Sequence, residues 1–221
     1  MIRRLLPLLL LLPMTALAAQ GDPISTTGEM AIGATGAGNA FVTIEEVTTG
    51  ALSRFALVAY GPPKWKALST RLKLYAVDAT SPELEAKTRA KSESTRKAAD
   101  AWLQGQAVVE APSIAGAGTG RYRIGGLGAV VYLEKDQVIA RTGDVGLMKT
   151  LPLVDNVVKL LPGKRCKGTL GSRLIQVAAN EALKVVAVAV EVTCGPESEQ
   201  KPRSGARVRR LIVKDLTSIL Q

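Results

Sequence analysis

Cys166 and Cys194 are the only cysteines in this 221-residue chain, and they lie almost equidistant from Asn180 between two strand-like segments. If the chain folds back at Asn180, residues whose numbers sum to 360 face one another and the two thiols meet, which predicts a structural disulfide. The same fold-back draws Lys164, Arg165 and Lys167 towards Arg203, Arg207, Arg209 and Arg210. A guanidinium group offers carboxylate, phosphate or sulfate two parallel hydrogen bonds, so these side chains form the candidate anion-binding face. Charge is concentrated there: residues 164–214 hold 11 basic and 4 acidic side chains, a net +7 of the chain's formal +10. The plainer alternative is a solvated edge strand whose charges keep neighbouring sheets apart.

Other chemistry is thinly represented. The chain has no histidine, which removes the Ser-His-Asp and Cys-His arrangements and the commonest general base near neutral pH. Zinc would need carboxylates to complete its shell, and no metal or cofactor site is expected. Ser94 and Lys97 have the S-x-x-K spacing that brings a lysine close to a serine nucleophile, but the companion S-D-N and K-T-G motifs are missing. Glu45 and Glu46 are adjacent on a strand-like segment and therefore point to opposite faces, which opposes joint acid-base work. The glycine clusters at 33–38 and 116–120 lack the Gly-Lys-Ser/Thr ending of a phosphate loop, and each precedes a strand instead of a helix. Trp65 and Trp102 have ring faces on which a sugar can stack, although isolated tryptophans more often anchor packing. No catalytic residue is assigned.

The elements that must position these residues are mostly strands. Residues 40–47, 53–60 and 70–77 are rich in β-branched and aromatic side chains and are punctuated by Gly50 and by Gly61, Pro62 and Pro63, which predicts three consecutive antiparallel strands. Pro82 and Glu83 suit the first turn of a long polar helix at about 82–104, and Gly105 is placed to end it. Its best apolar stripe is Leu84, Thr88, Thr95, Ala98 and Trp102. Residues 129–134 and 137–141 read as a hairpin turning at Lys135 and Asp136. Leu153, Val154, Val157, Val158, Leu160 and Leu161 recur as one face of a short apolar helix at about 152–161, running from Pro152 to the breaker Pro162 and Gly163.

In the sum-360 register Leu170 pairs with Val190 and Leu174 with Val186, on the same side as the cysteines. The other side pairs Ile175 with Val185 and Val177 with Leu183, which leaves the hairpin tip apolar on both faces. Residues 207–220 read as a final strand. The fold class expected is α+β: a predominantly antiparallel β-sheet with one long polar helix, one short apolar helix and a C-terminal disulfide-closed β-hairpin.

Residues 1–18 carry the three parts of a secretory signal: the cationic start at Arg3 and Arg4, a leucine-rich run at 5–12, and the small-x-small cleavage site Ala16, Leu17 and Ala18. A β-rich region with the long helix follows at 19–143. The second helix, the hairpin and the final strand occupy 144–221, and the two regions packing as one domain is an equal expectation. The function expected is that of an exported protein, periplasmic or secreted, that binds without catalysis. Its basic face would meet an anionic partner: envelope glycan, lipid, nucleic acid or an acidic protein. No aromatic residue lies in the basic quarter, which disfavours stacking on single-stranded nucleic acid. The alternative is a structural or assembly subunit of an envelope or secreted complex that packs through Ile175, Val177, Leu183 and Val185. A third class is an enzyme using Ser94 and Lys97 or a carboxylate site without a sequence signature.

Overall fold

The run Val185 to Val190 alternates only between valine and alanine, a composition that suits a strand covered on both faces. The computed structural model describes residues 30–50, 52–70, 74–77, 82–116, 120–143, 147–198 and 205–220, and that strand lies at the centre of its packing. The strands are β1 Gly33–Ala34, β2 Phe41–Thr49, β3 Leu52–Gly61, β4 Lys66–Thr70 and β5 Leu74–Val77. After the helix α1 Pro82–Gly105 come β6 Val109–Glu110, β7 Arg121–Ile124, β8 Ala129–Glu134, β9 Gln137–Thr142, β10 Lys149–Val154, β11 Leu170–Asn180, β12 Val185–Cys194 and β13 Ala206–Asp215. The larger sheet has the order β11-β12-β13-β2-β1-β6, with β3 paired to β2, β4 and β5; the smaller has the order β10-β9-β8-β7. The molecule is β-rich and antiparallel, with one α-helix among the described residues.

Two cores flank β12. Its even-numbered residues Val186, Val188, Val190 and Val192 pack against the smaller sheet through Val131, Val138 and Leu153. On the other face Val185, Ala187 and Ala189 meet Ile32, Phe41, Trp65, Leu211 and Val213. The larger sheet bends round this second core. Ile114 N–H donates to the Val177 carbonyl at 2.8 Å, and Ile32 N–H donates to Gln176 Oε1 at 2.7 Å, so the segments beside β1 and β6 return to β11. A third cluster lies under α1, where Ala99 and Leu103 are buried against Val42, Leu57 and Ala59. The helix stripe is therefore rotated from the expected one: Ala98 is exposed, and Thr95, Ala99, Trp102 and Leu103 face inward. Leu84 and Thr88 fall where no side chain is described.

The short helix at 152–161 is corrected to an edge strand followed by two 3-10 turns. Lys149–Val154 pairs with β9, and Val157–Leu160 and Pro162–Lys164 are single 3-10 turns. Two features compete successfully with the helical pattern. Asn156 accepts the Val158 N–H through Oδ1 at 2.8 Å, which caps a new turn in the middle of the expected helix, and Pro152 sits on an edge strand where a missing N–H is tolerated. The apolar residues are still core: Leu153, Val154, Val157 and Leu161 are buried.

The disulfide joins Cys166 to Cys194 with Cα atoms 5.6 Å apart. The register that led to it is corrected. Leu170, not Cys166, lies opposite Cys194, and the fold-back occupies residues 181–184 instead of centring on Asn180. Asn180 ends its strand and accepts the Leu183 N–H through Oδ1 at 3.0 Å, while Lys184 takes a left-handed conformation at φ 55°. The shift is even, so Leu170 and Leu174 keep the face expected of them. Cys166 reaches its partner from the loop before β11. Gly168 permits this approach, since a β-carbon there would collide with the carbonyl oxygens of Gly195 and Pro196.

A bulge at Ile175 then changes the facing. Beyond it Val177 pairs with Val188 and Asn180 with Val185, so Val177 and Val185 are fully buried in different cores and Ile175 is half-buried. Of the four tip residues only Leu183 is exposed. The apolar two-faced tip is thus absent: one extra residue turned Val177 inward.

Replacing both cysteines by serine is expected to lower stability by about 3.5 kcal/mol on the loop-entropy account. The check is the urea midpoint at constant slope; a midpoint that does not move would mean the 166–194 loop is held without the bond.

Candidate functional site

β13 carries the arginines, and strand alternation divides them between its faces. Arg207 and Arg209 project with Glu191 and Glu46, whereas Arg210 projects from the opposite face with Val208 and Ile212. The seven residues of the candidate basic face are therefore not gathered on one surface. Lys164 and Arg165 are exposed before the disulfide, Lys167 Nζ donates to Glu197 at 3.3 Å, and Arg203 lies outside the described residues.

On the first face the cations are arranged as a ladder across four strands. Arg173 Nε on β11 donates to Glu191 Oε1 at 2.7 Å, and Arg209 Nε donates to Glu191 Oε2 at 2.7 Å. Arg209 Nη1 lies 3.6 Å from Glu46 Oε2, and Arg207 Nη2 donates to Glu46 Oε1 at 2.6 Å. The two carboxylates are 8% and 10% exposed for Glu46 and Glu191, so they are ions withdrawn from water and dependent on their guanidinium partners. The Arg173 hydrogen bond is the main influence holding the Glu191 carboxyl below its ordinary value; burial opposes it and Arg209 assists. Three cations over two anions leave one net charge on this ladder, so these arginines serve to hold β11, β12, β13 and β2 together. Arg173 is not among the candidate basic residues of the sequence, because the sum-360 register sets it opposite Ala187; its cross-strand partner is Glu191.

The second face leads to a cleft of about 470 Å³ at the place where β2 and β13 separate. Their pairing stops at Arg209 and Glu46. Glu45, pointing away from Glu46 as alternation requires, fills the split: its Oε1 accepts Tyr60 Oη–H at 2.7 Å and the Leu211 N–H at 3.2 Å. Burial, then the Glu45 charge and hydrogen bond, push the Tyr60 hydroxyl far above its ordinary value, with Arg210 opposing. The Tyr60 hydroxyl therefore keeps its proton and donates it to Glu45 at neutral pH. Trp65 forms another wall. It is buried in the turn after β3, its ring centroid 6.0 Å from that of Phe41.

Arg210, Lys214 and Lys159 line this cleft together with Asp155. Lys159 and Asp155 are 3.7 Å apart and well exposed. Arg210 is half-buried; its Nε is withdrawn from solvent and has no hydrogen-bond partner, and it forms no ion pair among the described residues. Arg207 and Arg141 also have a buried Nε without a partner, but Arg210 is the one of the three that lines this cleft. No sequence signal distinguished Arg210 from Arg209 beyond the parity of its number.

Ser94 is exposed on α1, and Lys97 is ion-paired with Glu93 at 3.3 Å. The glycines at 33–38 lie in β1 and a turn before β2, and Gly120 immediately precedes β7. Trp102 is half-buried on the inward side of α1. Among the described residues no helix is long and apolar enough to cross a membrane. No protein-family model matches the chain, and no curated protein or solved structure matches it either.

A carboxyl depressed in the folded state contributes stability that is present above its unfolded pKa and is lost as pH falls through the folded one. Glu191→Gln is expected to lower stability at neutral pH by about 1.5–3 kcal/mol, the value of a hydrogen bond to a charged group. The same variant should lose less stability than the wild type between neutral pH and the acid range. Parallel acid limbs in urea melts of the two proteins would count against the ladder as the acid-labile element.

Proposed function

We propose that the protein is an exported, non-enzymatic binding protein that holds an anionic partner at the cleft between β13, β10 and the β3–β4 turn. The observation that carries this reading is Arg210: half-buried, its Nε without a partner among the described residues, and flanked by Lys214 and Lys159, against Asp155 in the lining and Glu45, which is engaged by Tyr60 and the Leu211 N–H. The basic face conceived around the disulfide is refined by it. Arg207 and Arg209 are paired with carboxylates within the molecule, and Lys167 is shared with Glu197, so Arg210 and Lys214 are the cations of β13 left for a partner among the described residues. The disulfide is of the kind that persists in an oxidising compartment, which supports export. The residues of the signal, 1–18, lie outside those described.

Retention on a polyglutamate matrix at low salt tests the reading. Arg210→Ala is expected to weaken binding at least tenfold, the equivalent of one charge-assisted hydrogen bond of about 1.5 kcal/mol. Lys214→Ala should weaken it less, and all retention should fall with added salt. Arg207→Ala should alter stability more than retention. Unchanged retention when Arg210, Lys214 and Lys159 are all alanine, in a protein whose circular dichroism is native, would remove the cleft from consideration.

A further inference from the structure

We propose that the cleft receives an acidic peptide segment in extended conformation, which adds as a strand to the open edge of β13. This rests on the anion-binding reading and goes further by naming the partner's chemistry and its backbone geometry. β13 pairs with β12 along its whole length, from Cys194 opposite Ala206 to Val185 opposite Asp215, but with β2 only from Ala206 to Arg209. Beyond Arg209 no strand among the described residues pairs with that edge.

The direction of the free backbone groups follows from two hydrogen bonds. Leu216 N–H donates to the Lys184 carbonyl at 2.9 Å, so even positions address β12; Leu211 N–H donates to Glu45 of β2, so odd positions address the open side. Glu45 therefore caps the edge where β2 departs. The next outward groups, the Leu211 carbonyl and both backbone groups of Val213, have no partner among the described residues. An added strand would satisfy them.

The other margin of the cleft does not offer this. β10 is also an edge, but Pro152 lacks an N–H and the register slips between Pro152 and Val154. β13 runs without bulge or proline. The cleft also states what the strand should carry. Arg210 and Lys214 stand on one face of β13 four positions apart, about 13 Å along a strand. Carboxylates four positions apart on one face of the incoming segment match them, and Trp65 and Tyr60 offer contact to its uncharged residues.

The probe is a short synthetic peptide of alternating valine and threonine with two glutamates four positions apart, titrated against the intact protein. Binding is expected, with slowed amide exchange at Val213. N-methylation of the peptide at the alternate amides that face β13 should weaken binding at least tenfold, and methylation of the intervening amides should have little effect. Arg210→Ala should weaken it about tenfold as well. If Arg210→Ala weakens binding but the methylation pattern does not alternate, strand addition is overturned and the anion site stands. If Arg210→Ala and Lys214→Ala bind as the wild type does, the anion site itself is overturned. Displacement of the peptide by anionic vesicles or duplex DNA more effectively than by polyglutamate at equal charge would overturn the peptide as the occupant.

Discussion

Everything in the fold is arranged around a strand that needs shelter on both faces. From Val185 to Val192, β12 is buried without interruption, and a single two-layer sandwich can cover only one side of it. The smaller sheet covers the even-numbered valines. The odd-numbered side is closed by the larger sheet itself, which bends until the segments around Ile32 and Ile114 bond back to β11. That curvature forces β2 away from β13 halfway along. The cleft lies at this parting, with Arg210 Nε and the outward backbone groups of β13 beyond Arg209 left without partners among the described residues.

Sidedness proved more legible in the sequence than register. The inward valines of β12 and the opposite facing of Glu45 and Glu46 follow from a period of two, and any even displacement preserves them. The turn position did not follow from that rule. Symmetry about Asn180 suggested a pairing four residues out of place, because Cys166 was assumed to belong to the ladder and instead approaches from a loop past Gly168. The bulge at Ile175 was equally invisible, since nothing in a run of apolar residues marks which one is skipped. It changed the fate of Val177 and with it the apolar tip.

The apolar run at 152–161 shows a different limit. Its hydrophobic spacing fits a helix, and its burial was anticipated, but a single Asn side chain capping Val158 and a proline on a sheet margin decide the backbone. In the candidate site the residue types were visible and their neutralisation was not. Glu46 is more than a hundred residues from Arg207, and their bond depends on β2 lying beside β13, which no local pattern specifies.

The half of β13 that no described strand pairs on its second edge also bears on how the molecule behaves among its own copies. Two such margins meeting head to tail about Ile212 would set Arg210 of each against Lys214 of the other. Like charges directly opposed repel, and the hydrogen bonds gained would have to overcome that. The pair of cations thus discriminates by sign: it rejects a sister molecule offering the same edge and admits a strand of opposite charge, so that an unprotected margin need not become a route to fibres.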